Sequence, residues 1–234
     1  MTDSHAHHSH ENHGHTHAPG HEPDGLDRFS AHADTWDEKP GAVERAESVA
    51  AAIRAAIGLT GEESALEIGG GTGLLSRALA DDIGTALVTD VAPGMVAAAE
   101  RVLADDAYAG WRAGLFDVER DALPDERFDL VLSQLALHHM GDIPAIIGRL
   151  FTLLRPGGHV ALADLEHDAD GGFHRHIEDF HGHHGFTREA LTGWLADAGF
   201  VDVDVTVAGH DTKDVEGETR RFPILLATGH RPLD

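Results

Sequence analysis

The sequence predicts a doubly wound α/β domain, with a mostly parallel sheet covered on both faces by helices. Three observations carry that expectation. Short apolar runs alternate with helical periods from about residue 42 onward, the order that builds parallel strands and crossover helices. The first of these runs ends in a dense glycine turn, Ile68-Gly69-Gly70-Gly71-Thr72-Gly73, which leads straight into a helix at 74–79. The last two runs, 200–208 and 222–228, follow each other without a helical period, so they should form an antiparallel hairpin at one edge.

The elements can be justified in order. Folding starts near Leu26. Val43, Ala46, Val49, Ala50, Ile53 and Ile57 repeat at helical spacing, and Gly58 and Gly61 stop that helix. Strands are expected at 65–68, 86–90, 111–116, 128–133 and 159–165, with helices at 93–103 and 143–154 among them. Residues 187–198 read as an amphipathic helix ended by Gly199. The run 200–208 alternates apolar and polar residues as an edge strand does, and 222–228 supplies the last strand.

Composition narrows the function. The chain has 234 residues, enough for one α/β domain (26–234) plus a tail (1–25). It has no cysteine, which excludes disulfides, thiolate catalysis and cysteine-ligated metals. Its formal net charge of −24 repels phosphates and anionic membranes, so neither a nucleic-acid nor a membrane partner is expected. Lys39 and Lys213 are the only lysines. No run approaches the ~18 apolar residues of a membrane span. The N-terminus lacks an apolar signal core, and the cytoplasm is the expected compartment. The tail carries His5, His7, His8, His10, His13, His15, His17 and His21 without a hydrophobic period. It should be disordered, and its imidazoles should capture divalent metal weakly.

The glycine turn carries the chemistry. Glu67 precedes it, and Asp90 closes the next apolar run. Glycines let a ligand approach the main chain closely, and Asp90 falls where a doubly wound sheet places the carboxylate that grips ribose hydroxyls. A nucleoside-containing cofactor follows. The dinucleotide fingerprint G-x-G-x-x-G is not met in any register, because its last position falls on Leu74 or Ser76. A pyrophosphate wants amide donors and no nearby carboxylate. Glu67 suits an ammonium instead.

The pattern Glu67-x-Gly69-x-Gly71-x-Gly73 resembles the first motif of class I S-adenosylmethionine-dependent methyltransferases. Asp90-Val91-Ala92-Pro93-Gly94-Met95, Leu115-Phe116-Asp117, the segment 127–140 and Leu153-Leu154-Arg155-Pro156-Gly157-Gly158-His159 are similar to later motifs of that family, in order. The nearest branch is the methyltransferase type 11 group, which includes ubiquinone/menaquinone-biosynthesis-like enzymes. The resemblance implies a Rossmann-like, seven-stranded, mostly parallel sheet with an antiparallel terminal hairpin. It also implies methyl transfer from S-adenosylmethionine to a small-molecule acceptor. Glu67, Gly69, Gly71 and Gly73 would meet the methionine and ribose parts, and Asp90 the ribose hydroxyls. Val91 and Phe116 would flank the adenine, Asp117 would accept from its amino group, and the Gln134 backbone would meet the cofactor ammonium. Trp36 is a candidate to close the pocket.

Methyl transfer from a sulfonium asks mainly for in-line alignment and exclusion of water. A base helps when the acceptor must lose a proton, and His138 and His139, just past the fourth strand, are placed for that work. A second histidine cluster spans 173–186, with His174 and His184 matching the branch best. It reads as an acceptor pocket with a base, as a divalent-metal site with Glu178 or Asp179, or as a surface loop. The acceptor-pocket reading is preferred: His174 and His184 join the catalytic set, and no residue is assigned as a metal ligand. The rivals are a non-enzymatic S-adenosylmethionine-binding or metal-responsive protein, and a nucleotide-cofactor oxidoreductase. The acceptor and the oligomeric state stay open.

Overall fold

The computed structural model describes residues 26–233 apart from positions 176, 178 and 179. The histidine-rich segment 1–25, with its expected disorder and metal capture, lies outside the described residues, as do Glu178 and Asp179. Seven strands form one sheet in the order β3-β2-β1-β4-β5-β7-β6. Their ranges are β1 Ser64–Ile68, β2 Thr85–Asp90, β3 Arg112–Leu115, β4 Phe128–Gln134, β5 Leu154–Leu165, β6 Val201–Val215 and β7 Glu218–His230. The first five run parallel to one another. β7 is antiparallel to both β5 and β6. The doubly wound sheet with its terminal hairpin is therefore the fold expected from the sequence.

Strand side chains alternate between two buried faces. Leu130 and Leu132 join a core with Val49, Ala50 and Ile53 of the helix Ala42–Ala56. Val131 points the other way, into a core with Ile146, Ile147 and Leu150 of the helix Ile143–Leu153 and Leu191 and Leu195 of the helix Arg188–Asp197. Both of the latter helices start on a capping side chain. Asp142 accepts from the Ala145 N–H at 3.1 Å and Thr187 from the Ala190 N–H at 3.1 Å, each satisfying a donor that has no partner within the helix. Among the described residues no helix is long and apolar enough to cross a membrane.

The hairpin is longer than the apolar pattern indicated. Pairing continues from Gly209↔Ile224 to Val215↔Glu218, around a turn at Glu216 (φ 56°) and Gly217 (φ 86°). The extension is largely polar, so no alternation marks it in the sequence. It has a structural task. Arg220 donates to Asp168 at 3.2 Å and Asp170 at 2.9 Å, and Lys213 Nζ donates to the Phe173 carbonyl at 3.3 Å. The hairpin tip thereby clasps the segment that carries His174.

Candidate active site

A cleft opens at the carboxyl ends of β1, β2 and β4, where ligands enter an open α/β sheet. Its wall includes Phe29, Trp36, Glu67, Gly69, Gly70, Gly71, Asp90, Val91, Phe116, Asp117, Gln134 and His139. The cofactor-binding residues expected from the sequence are thus brought together, with the exception of Gly73, which caps the helix Leu74–Ala78 instead.

The glycine turn is built for close approach. Gly69 has φ 61°, and a Cβ there would lie 2.5 Å from the Ala136 Cβ, on the chain just past β4. A Cβ on Gly70 would come within 2.9 Å of the Glu67 side chain and of Val88. Packing within the protein thus requires both glycines, and Gly69, Gly70 and Gly71 all lie on the cleft wall. Asp37, from the N-terminal segment, locks it from above: the Thr72 hydroxyl donates to Asp37 Oδ1 at 2.5 Å, and Arg77 to Oδ2 at 2.5 Å.

The carboxylates differ in what they hold. Asp90 accepts the Gly71 N–H at 2.9 Å on Oδ2 and the Ala92 N–H at 2.8 Å on Oδ1. An ionised carboxylate has about four acceptor sites, so capacity for two hydroxyls remains. Burial raises the Asp90 pKa above the ordinary carboxylate value, and the backbone donors offset part of that rise. Glu67 is 2% exposed, and Oε2 accepts both the Ser76 hydroxyl at 2.5 Å and the Ser76 N–H at 3.1 Å. Burial pushes its pKa up to about 7 against those bonds. Asp117 accepts the Glu119 N–H at 2.8 Å and the Arg120 guanidinium at 3.2 Å, so its carboxylate also shapes the local turn.

Cations gather at the same cleft. Lys39 lies 3.2 Å over the Trp36 ring, and Arg45 is on the wall beside Ala42. Burial, then the like charges of Arg28, Arg45 and Lys213, lowers the Lys39 pKa to about 8. Arg45 is paired with Asp211 at 3.2 Å.

A histidine cluster adjoins the cleft through His139. His138, His139 and His174 each offer a ring nitrogen within 4.8 Å of the other two. His138 is 2% exposed, and its Nδ1 lies 2.6 Å from Asp164 Oδ1, while its N–H donates to Asp164 Oδ2 at 3.2 Å. His139 opens to the cleft, with the Phe29 and Phe180 rings edge-on at 5.4 Å and 5.7 Å. His174 is buried and stacks on Phe180 at 3.7 Å. Neither of its ring nitrogens has a hydrogen-bond partner among the described residues, a cost of roughly 1–3 kcal/mol for a buried polar group. Burial, then the neighbouring histidines, lowers the pKa of His139 to about 3 and of His174 to about 2. Both rings are neutral near pH 7. His184 stands apart, exposed, with its ring 5.9 Å from that of His174.

Two features escaped sequence reasoning. Asp164 was read only as part of a strand; the available signal was an acid inside the apolar run His159-Val160-Ala161-Leu162-Ala163-Asp164-Leu165. It is 1% exposed, and its neighbour Ala163 pairs with Gln134, which sets its carboxylate under the turn after β4. Leu135, on the cleft wall, has φ 52°, a left-handed conformation that costs a non-glycine residue of order 1–3 kcal/mol. No residue pattern announced it.

With this geometry established, likeness to known proteins becomes informative. A family described as "Methyltransferase domain" matches residues 66–160, the stretch from β1 to β5. The biotin biosynthesis bifunctional protein BioCD of Bordetella avium is 39% identical over 150 residues, covering 63% of this chain and 31% of that protein. The malonyl-[acyl-carrier protein] O-methyltransferase of Serratia marcescens is 33% identical over 103 residues, covering 44% of this chain and 38% of that one. The chain thus spans about a third of the length of both curated relatives. The N-methyltransferase NodS of Bradyrhizobium japonicum, solved with S-adenosylhomocysteine, shares the fold at a TM-score of 0.64 and 22% identity, over 88% of this chain and 96% of NodS. The fold is one shared with solved methyltransferases. In sequence, the match to a methyltransferase domain covers residues 66–160, about two fifths of the chain.

Proposed function

We infer that the protein transfers a methyl group from S-adenosylmethionine to a small-molecule acceptor. One observation carries this reading: Gly69, Gly70, Gly71 and Asp90 line the same cleft as His139. In this reading the ribose hydroxyls donate to Asp90, the adenine lies between Val91 and Phe116, and Asp117 meets its amino group. The Gln134 backbone and Glu67 serve the ammonium. Lys39, over the Trp36 ring at the cleft wall, suits the carboxylate that the methionine end of the cofactor brings.

The chemistry needs little covalent help. The acceptor atom attacks the methyl carbon in line with sulfur, and the leaving thioether is neutral. Alignment and exclusion of water are the main tasks, and the rings of Phe29, Trp36 and Phe180 line the route. His139 stands on the cleft wall where an acceptor would enter, and Asp164 orients His138 beside it.

The test is calorimetric titration with S-adenosylmethionine, followed by a methyl-transfer screen that reads S-adenosylhomocysteine. Asp90→Ala should lower cofactor affinity by about 100-fold or more, from two lost charge-assisted hydrogen bonds, with the circular dichroism spectrum unchanged. Unchanged affinity in that variant would refute the assignment. Cofactor binding without any product across the screen would favour the non-enzymatic alternative.

A further inference from the structure

We propose that His138, His139 and His174 bind a divalent transition-metal cation of the zinc class, and that this ion receives the methyl acceptor. The acceptor's role rests on the methyl-transfer reading; the metal site itself rests on the side chains. The three ring nitrogens already lie within 4.8 Å of one another. Zinc–imidazole bonds of about 2.0–2.1 Å in a tetrahedron hold nitrogens about 3.3 Å apart. Modest side-chain rotations, closing the widest pair by about 1.5 Å, would shape the site. The chain has no cysteine, so imidazole and oxygen ligands are what it can offer.

Two further features set this cluster apart from ordinary packing. Asp164 grips His138 through Nδ1 and through its backbone N–H, which fixes the ring and leaves Nε2 for an ion. A carboxylate behind the imidazole is the outer-shell arrangement that orients metal-bound histidines. His174 is 3% exposed with both ring nitrogens unpartnered among the described residues. Two stacked or edge-on aromatic rings hold it there, and an ion would occupy one of those nitrogens.

The site also has an open side. His139 is on the cleft wall, so a free coordination position would face the cofactor's reactive end. An acceptor thiol or hydroxyl bound there becomes more acidic than in water, and its proton leaves to solvent through the cleft. The acceptor's lone pair then forms the new bond to the methyl carbon. The carbon–sulfur bond breaks, and its electron pair stays on sulfur to give neutral S-adenosylhomocysteine.

The histidine tail would confound a simple titration. The experiment therefore uses the full-length chain with its eight tail histidines changed to serine, stripped with chelator and titrated with Co(II). Calorimetry and the visible absorption of four-coordinate cobalt should both report one tight equivalent per chain. His174→Ala and His139→Ala should each weaken it at least 100-fold; His139 opens to the cleft, so that variant stands if His174→Ala fails to fold. Asp164→Asn should weaken it by about 10–100-fold. Absence of a stoichiometric cobalt site, or a site that persists in His139→Ala, would overturn the proposal. Affinity for S-adenosylmethionine is read on the same samples. Cobalt binding without cofactor binding would uphold the metal site and sink the methyl-transfer reading, and the converse would sink the metal site alone.

Discussion

Glu67 offers a test in which the sign and the size both follow from the structure. Its carboxyl is 2% exposed and bonded to Ser76, yet burial raises its pKa from 4.5 to about 7. Between those values the native state keeps a proton that the unfolded chain has lost. Stability therefore falls as pH rises through that window, and the loss is complete above about pH 7. A rise of this size corresponds to about 3 kcal/mol at 1.36 kcal/mol per unit. Glu67→Gln keeps the shape, and its carbonyl still accepts from Ser76, but it cannot ionise. The two proteins should melt together near pH 4.5, and the variant should be the more stable by pH 8. At about 2–4 °C per kcal/mol for a domain of this length, the separation is about 6–12 °C. Thermal denaturation of both proteins in parallel from pH 4.5 to 8 gives the answer, because every other titrating group cancels in the difference. A pH-independent offset, or none, would refute the reasoning. The same variant should bind S-adenosylmethionine more weakly at pH 8 if the ionised carboxylate serves the ammonium.

Three other outcomes follow from the geometry. His139→Ala should lower kcat by about 100-fold or more while leaving cofactor affinity near the parent value, read by steady-state kinetics beside calorimetry; a parallel loss of both would place His139 in cofactor binding instead. Gly69→Ala meets both a positive φ and the Ala136 Cβ, so it should cost about 1–3 kcal/mol in denaturant unfolding and weaken cofactor binding; a neutral outcome would show that the turn can move. Arg220→Ala unclasps Asp168 and Asp170 from the hairpin tip and should reduce turnover through His174, with cofactor affinity retained; unchanged turnover would mean that the His174 segment holds itself.

The sheet and the glycine-turn half of the site were legible because their signals are local. β1, β2 and β4 are short, largely apolar runs, and the helix Pro93–Leu103 falls on the residues its pattern marked; β5 starts at Leu154 rather than at 159, because the polar stretch Arg155-Pro156-Gly157-Gly158 carries no apolar signal. Glu67, the glycine turn and Asp90 lie within 24 consecutive residues, and one strand-turn-helix unit places them. Trp36 shows the limit of that logic. The sequence offers it as a candidate to close the pocket, but no period places it there; its ring reaches the glycine turn and stands on the cleft wall. The hairpin extension from Gly209 was missed for a related reason, since a polar ladder held by main-chain bonds leaves no apolar record.

The histidine half is assembled from pieces with no common signal. His138 and His139 come from the turn after β4, Asp164 from the end of β5, and His174 from a loop pinned by β6 and β7. Nothing about His174 in the sequence distinguishes it from His184, yet one is buried with no hydrogen-bond partner among the described residues and the other is exposed. The difference is made by Arg220 and Lys213, some forty to fifty residues further along the chain. Long-range clasping of one histidine is expensive unless that histidine has work to do, because burying two bare ring nitrogens opposes folding. The placement is therefore better explained by a ligand that completes the cluster than by packing alone. It also explains why the glycine-turn half of the site can be read from sequence while the histidine half cannot.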